Sequence, residues 1–154
     1  MTAANHALTG ALIGLCVGNP VLAPALAFLS HFVLDAIPHY DPPGNNAAVK
    51  IGSRRFFLEH IVLGGALCLL LVVLLAAARP AHWLQAVVCA FVATIPDLLF
   101  IPRYLHIKRT GKDNLASNWF WRFHNNIQWF QKPIGFVVEA AWFAAAGSLL
   151  LQLI

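Results

Sequence analysis

Apolar residues along this chain neither alternate with polar ones nor recur on a single helical face. They come in long, nearly unbroken runs, punctuated by short clusters of Gly, Pro, Asn, Arg and His. About 20 consecutive apolar residues in an α-helix cross a hydrocarbon core of about 30 Å. Five spans of this kind are predicted. The first runs from about Ala3 to Gly18, Asn19 and Pro20 form a tight turn with Pro at an acceptable first helical position, and the second runs to Ile37, where Pro38 stops it. These two make a helical hairpin over about residues 3–37. A Pro/Gly/Asn-rich loop beginning "PHYDPPGNN" reaches Ser53. A second hairpin over about residues 56–101 turns at Arg79, Pro80 and His82. The basic segment "PRYLHIKRTGKDN" then reads as a loop. It leads into "SNWFWRFHNNIQWFQ", about residues 117–131, whose Trp, Phe and Arg suit a helix lying at headgroup level. Pro133 opens a last helix over about residues 133–154. The predicted fold is an all-α, polytopic membrane helical bundle in a single domain: two hairpins, a fifth transmembrane helix and an interfacial amphipathic helix.

Within the first span, Gly10, Gly14 and Gly18 recur at the four-residue spacing that lets helix backbones approach closely in lipid. A weak internal repeat pairs "NHALTGALIG" with "LEHIVLGGAL", and Asp35 and Pro38 at the end of span two with Asp97 and Pro102 at the end of span four. The two hairpins would then be parallel repeats related by an axis along the membrane normal.

Composition strengthens the membrane reading: of 154 residues 60% are hydrophobic and 10% charged, against about 25% charged in soluble domains. The first run lacks a basic n-region and a small-residue cleavage site, so it reads as a retained helix rather than a signal peptide. Cys16, Cys68 and Cys89 fall inside apolar runs without C-x-x-C spacing, and read as small buried hydrophobes. The net charge of +4 comes from residues flanking the spans, which points to topology rather than nucleic-acid binding. Lys50, Arg54, Arg55, Arg103, Lys108, Arg109, Lys112, Arg122 and Lys132 follow spans two and four, with Arg79 alone opposite. By the positive-inside rule the N-terminus is cytoplasmic and the C-terminus outside.

Against this background the polar residues stand out. Ionisable groups within apolar spans are costly unless paired or hydrated, and mark function by default. The chain has six acidic residues. Asp35, Asp97 and Glu139 lie within spans, Asp41 and Glu59 lie beside histidines, and Asp113 is the one ordinary loop carboxylate. His31 and Asp35, four apart, share a helix face. At about 1.5 Å per residue, His31, Asp97, His60 and Glu139 fall at similar depth on the cytoplasmic side, with His6 at the start of span one. His39 and Asp41, just past the helix stop, can turn back over the same place. His6, His31, Asp35, His60 and Asp97, with His39 and Asp41, are therefore candidate ligands for one or two divalent metal ions, zinc first and manganese as carboxylates increase. Glu139 or Glu59 is the candidate general base toward a metal-activated water. His124, in the aromatic segment and one turn from Gln128, is a further catalytic candidate, as an outer group or a ligand from above. Arg54, Arg55 and Arg109 are candidates to attract an anionic headgroup.

At these residues the chain resembles the membrane-bound, metal-dependent hydrolases of the YdjM-like group. The resemblance is carried by "NHALTG" (His6, Gly10) and "HFVLDAIPHYD" (His31, Asp35, His39, Asp41), and covers roughly the first 45 residues. The chain departs from the group in reading Pro38-His39-Tyr40-Asp41 where a Pro-Asp-x-Asp cluster is usual. One motif, His31, Asp35, Pro38, His39, is also faintly similar to zinc-dependent phospholipases C. The resemblance implies a metal-dependent hydrolase acting on a lipid or phosphoester in a bacterial inner membrane. Membrane lipids are the expected partners, and a homo-oligomer is an open alternative to a monomer. Two other functions fit the same cluster: a small transporter or relay of protons or metal ions, and a non-catalytic membrane protein with a structural metal. The outer half of each span is nearly pure Leu, Val, Ala and Phe, whereas a transport pathway needs polar groups on both sides.

Overall fold

An apolar run offers its backbone no polar partner except itself, so it satisfies its amides as helix. The computed structural model describes residues 1–40, 53, 57–114, 118–130 and 132–154, and its elements are all helical. Asp41, Arg54 and Arg55 lie outside the described residues, as do the side chains of Glu59 and His60. In chain order the elements are α1 (Ala3–Cys16), α2 (Leu22–Ala36), a π-helical segment (Phe57–Leu63) running into α3 (Gly64–Ala78), α4 (Trp83–Leu98), α5 (Phe100–Thr110), α6 (Trp119–Ile127) and α7 (Gly135–Leu153). Among the described residues, three stretches, Ile61–Ala78, Trp83–Thr110 and Gly135–Leu153, are long and apolar enough to cross a membrane, which is compatible with a membrane protein. The helices α1 and α2, with 14 and 15 residues, extend about 21–23 Å.

The centre of the bundle is α1, which packs against α2, α3, α4 and α7, most extensively against α4. Small residues make this possible. A Cβ on Gly10 would collide with the Cys89 backbone and one on Gly14 would lie 2.5 Å from Ala86 Cα. Ala7, Ala11, Ala86, Ala90 and Ala146 pack with Leu71, Leu75 and Leu150 in one core cluster, and Ala23, Ala27, Cys89 and Ala93 form another. Such surfaces let backbones close up, so that dispersion rather than side-chain bulk holds the helices. Gly18 departs from the expectation, because it lies beyond the end of α1 with nothing within 4 Å of its Cβ position.

The turns follow local chemistry. Asn19 Oδ1 accepts from the amides of Val21 (2.9 Å) and Leu22 (3.0 Å) and so starts α2, the usual task of an N-cap side chain. Arg79 (φ 48) and His82 (φ 63) both adopt the left-handed region in the tight turn between α3 and α4.

The expected loop after span four is instead helical, as α5. Pro102 does not end the helix because it sits in the first turn of α5, where the missing amide hydrogen has no helical acceptor. The basic character of the segment also conceals a buried cation. Arg103 is buried, its Nε and Nη2 donate to Asp113 Oδ1 (3.0 Å) and Oδ2 (2.5 Å), and its guanidinium lies 5.0 Å from the Phe100 ring and 5.1 Å from the Trp121 ring. Asp113 is thus the partner of a buried arginine rather than an ordinary loop carboxylate. This clamp joins α5 to α6. Arg103→Ala is expected to cost about 1–3 kcal/mol, less than the roughly 3–5 kcal/mol of a wholly buried pair because Asp113 sits at a partly exposed turn. Arg103→Lys should recover little of it, since a bidentate, stacked guanidinium has no ammonium equivalent. Thermal unfolding in detergent measures both.

Candidate metal centre

Four helices each bring a ligand-type side chain to one place. His6 comes from α1, His31 and Asp35 from successive turns of α2, Asp97 from α4 and His124 from α6. His6, His31 and Asp35 are fully buried, His124 is 3% exposed, and the Asp97 side chain is 31% exposed. Among the described residues, two overlapping groups have ligand atoms close enough together to hold an ion: His6, His31 and Asp35, and His31, Asp97 and His124. His31 belongs to both.

The tautomer of His31 is fixed by its surroundings. Its Nδ1 lies 2.9 Å from the Ala93 carbonyl oxygen, which can only accept, so Nδ1 carries the hydrogen and the neutral ring presents a lone pair at Nε2. That lone pair faces the Asp35 carboxylate (Oδ2, 3.3 Å), the His124 ring (Nε2, 3.1 Å) and Asp97 (Oδ1, 4.0 Å). His124 Nε2 is in turn 3.2 Å from Asp35 Oδ2. A single hydrogen on His124 can serve His31 or Asp35, but the His31 and Asp35 acceptors still face each other. Only an added cation, a proton or a metal ion, removes that conflict. The three separations of 3.1, 3.2 and 3.3 Å lie near the edge of a tetrahedron of ligands about 2.0–2.1 Å from its centre, roughly 3.3–3.4 Å. A ring nitrogen bonded to a backbone carbonyl is also the usual way a metal-ligating histidine is oriented.

His6 stacks on His31 with ring centroids 3.9 Å apart. Its Nε2 is 3.2 Å from Asp35 Oδ1 but off the hydrogen-bonding direction, so both of its ring nitrogens are buried without a hydrogen-bond partner. The same holds for His124 Nδ1 and Asp97 Oδ2. Unpartnered buried polar atoms are rare in proteins, and here four of them surround one cluster. Asp35 is also held by neutral and cationic donors: Gln128 Nε2 donates to its Oδ2 (3.0 Å), and the Met1 nitrogen contacts its Oδ1. Gln128 was expected only as a neighbour of His124. The four-residue spacing of His124 and Gln128 repeats that of His31 and Asp35, and is the sequence signal for its role.

Two expected members stand apart. His39 belongs to neither group: its Nδ1 donates to the Ile37 carbonyl (2.9 Å), its Nε2 is buried without a partner, and burial together with the nearby N-terminal charge pushes its imidazole below the ordinary range. The chain after α2 is drawn toward α7 instead. The His39 carbonyl accepts from the Lys132 amide (3.2 Å), and Gly135 abuts the His39 backbone so closely that no Cβ fits between them. Glu139, expected as a general base, has both carboxylate oxygens engaged by backbone amides, Oε2 by Thr2 (3.0 Å) and Oε1 by Tyr40 (2.9 Å). Its own carbonyl accepts from Asn5 Nδ2 (3.2 Å). It clamps the start of α1 and the end of α2 to α7. Arg109 is exposed in the last turn of α5. The chain matches no protein-family model, and no curated protein or solved structure is similar to it at a significant level.

Proposed function

We propose that this protein is a membrane-embedded, metal-dependent hydrolase acting on a lipid or phosphoester at the cytoplasmic face of a bacterial inner membrane. The observation that carries the reading is the His31 lone pair, fixed by the Ala93 carbonyl and aimed at a carboxylate and a second imidazole in a fully buried setting. His6, His31, Asp35 and His124 would hold the ion, and zinc suits their imidazole and carboxylate donors. A divalent cation there would supply a Lewis acid and lower the pKa of the attacking water toward neutrality. Asp97, partly exposed and with an unpartnered oxygen, replaces Glu139 as the group that accepts the proton of the attacking water. The water oxygen bonds to the ester phosphorus or acyl carbon, the bond to the leaving oxygen breaks, and the proton held by Asp97 passes to that oxygen. In this reading α1 and α2 also cross the membrane, giving five spans, α6 lies in the interface with exposed Trp119 and Phe123 toward the headgroups, and Arg54, Arg55 and Arg109 attract the anionic head.

The experiment is metal analysis of protein purified without chelators, followed by product release from anionic phospholipid and isoprenoid phosphate. About one or two equivalents of zinc are expected, with turnover lost to a chelator and restored by zinc. Protein that neither contains nor takes up metal would end the proposal. Complete burial of His6, His31 and Asp35 favours a second reading, a structural metal. In that case chelation lowers the unfolding temperature and no substrate turns over.

A further inference from the structure

His31 belongs to both groups of candidate ligands, yet it has one atom to give. Its Nδ1 is held by the Ala93 carbonyl, so a single lone pair on Nε2 must serve either group. Assigning it to one leaves the other with two donors, His6 and Asp35 or Asp97 and His124, whereas zinc sites in proteins use three or four. Among the described residues the cluster therefore has ligands for one firmly held ion at a time, and two places to put it. The two places differ in access. His6, His31 and Asp35 are fully buried and His124 nearly so, but the Asp97 side chain is 31% exposed. Asp97 stands in the last turn of α4, with its Oδ1 4.0 Å from His31 Nε2. A hydrated divalent ion cannot enter a packed interior unless each water it sheds is replaced by another donor. A carboxylate at the rim can replace the first.

We infer that a single divalent ion loads through Asp97, held first by Asp97, His31 and His124 and then by His31, His124, Asp35 and His6. The two shared imidazoles make the passage possible. Their Nε2 atoms lie 3.1 Å apart and are 3.3 and 3.2 Å from Asp35 Oδ2, so both can stay bound while Asp97 is traded for Asp35. At the inner place His6, whose ring nitrogens are buried without hydrogen-bond partners, adds a fourth donor, and four donors in place of three favour the inward step. The inference takes the metal from the hydrolase reading but not the hydrolysis. It narrows the ion count to one and leaves Asp97 free once the ion has passed.

The test is stopped-flow zinc uptake, and release to a chelator, on the full chain in nanodiscs. Wild-type protein should bind one equivalent. A ligand used only in passage lowers the barrier in both directions. Asp97→Asn should therefore slow uptake and release alike, by about tenfold or more, and keep the affinity within about threefold, where a lasting ligand or its support would cost about 10–100-fold in affinity. Asp97→Glu, which keeps a carboxylate, should recover most of the rate. His6→Ala should leave uptake unchanged and speed release by about 10–100-fold. Two tightly bound equivalents in wild type, or an Asp97→Asn protein that loads at the wild-type rate, overturns the inference, and so does protein that takes up no zinc. Turnover is read on the same samples: one equivalent with these kinetics but no hydrolysis sinks the hydrolase reading alone, whereas two equivalents with hydrolysis sink the loading path alone.

Discussion

Asp35→Ala is expected to weaken zinc binding by more than about 100-fold, since even changes to the groups behind metal ligands cost about 10–100-fold. Asp35 is the residue on which the cluster converges, touched by His6, His31, His124 and Gln128. Its removal also strands those partners in a buried site, and breaking a buried charged cluster costs about 3–5 kcal/mol. Asp35→Asn separates the two effects. It keeps the shape and an acceptor oxygen but loses the charge, so it should retain more stability than the alanine variant while still losing most of the metal. Metal analysis and thermal unfolding on both proteins read this out. Full occupancy in both variants means that the ion, if any, sits elsewhere.

The second large effect is on packing. Gly14→Val places a methyl-bearing carbon where Ala86 Cα lies 2.5 Å away, and backbone atoms cannot rotate aside as a side chain can. The α1 and α4 helices must separate, which costs about 1–3 kcal/mol for ordinary overpacking and more where backbone itself is the obstacle. Because α1 carries His6 and α4 carries Asp97, the same change pulls the His/Asp cluster apart. Gly18→Val is the matched control, with open space at that Cβ position, and should stay within about 0.5 kcal/mol of wild type. Equal stability of the two variants would show that close approach at Gly14 has been misread.

Much of this site was legible because its signals are local. The spacing of His31 and Asp35 puts both on one face of α2 whatever else the chain does, and Gly10 and Gly14 predict a close helix neighbour without naming it. A carboxylate in an apolar run needs partners, so Asp35 and Asp97 were marked by their setting alone. What escaped depended on distant segments. The choice between His39 turning back to the site and turning away was decided by Lys132 and Gly135. Glu139 has the composition of a general base, and only the arrival of the Thr2 and Tyr40 amides makes it a clamp. The basic segment after span four looked like solvated loop because charge pattern alone does not reveal that Arg103 turns inward between Phe100 and Trp121.

The Glu139 clamp also dictates when the protein can mature. Tyr40 and Thr2 leave the ribosome 99 and 137 residues before the side chain that secures them. At about 5–20 residues per second this is a wait of roughly 5–27 s. During that interval the first hairpin is already synthesised but lacks the carboxylate that ties its two ends together. The ends of α1 and α2 can be tied together only once α7 is made, so the order of translation sets the moment at which the buried histidines can be sealed in.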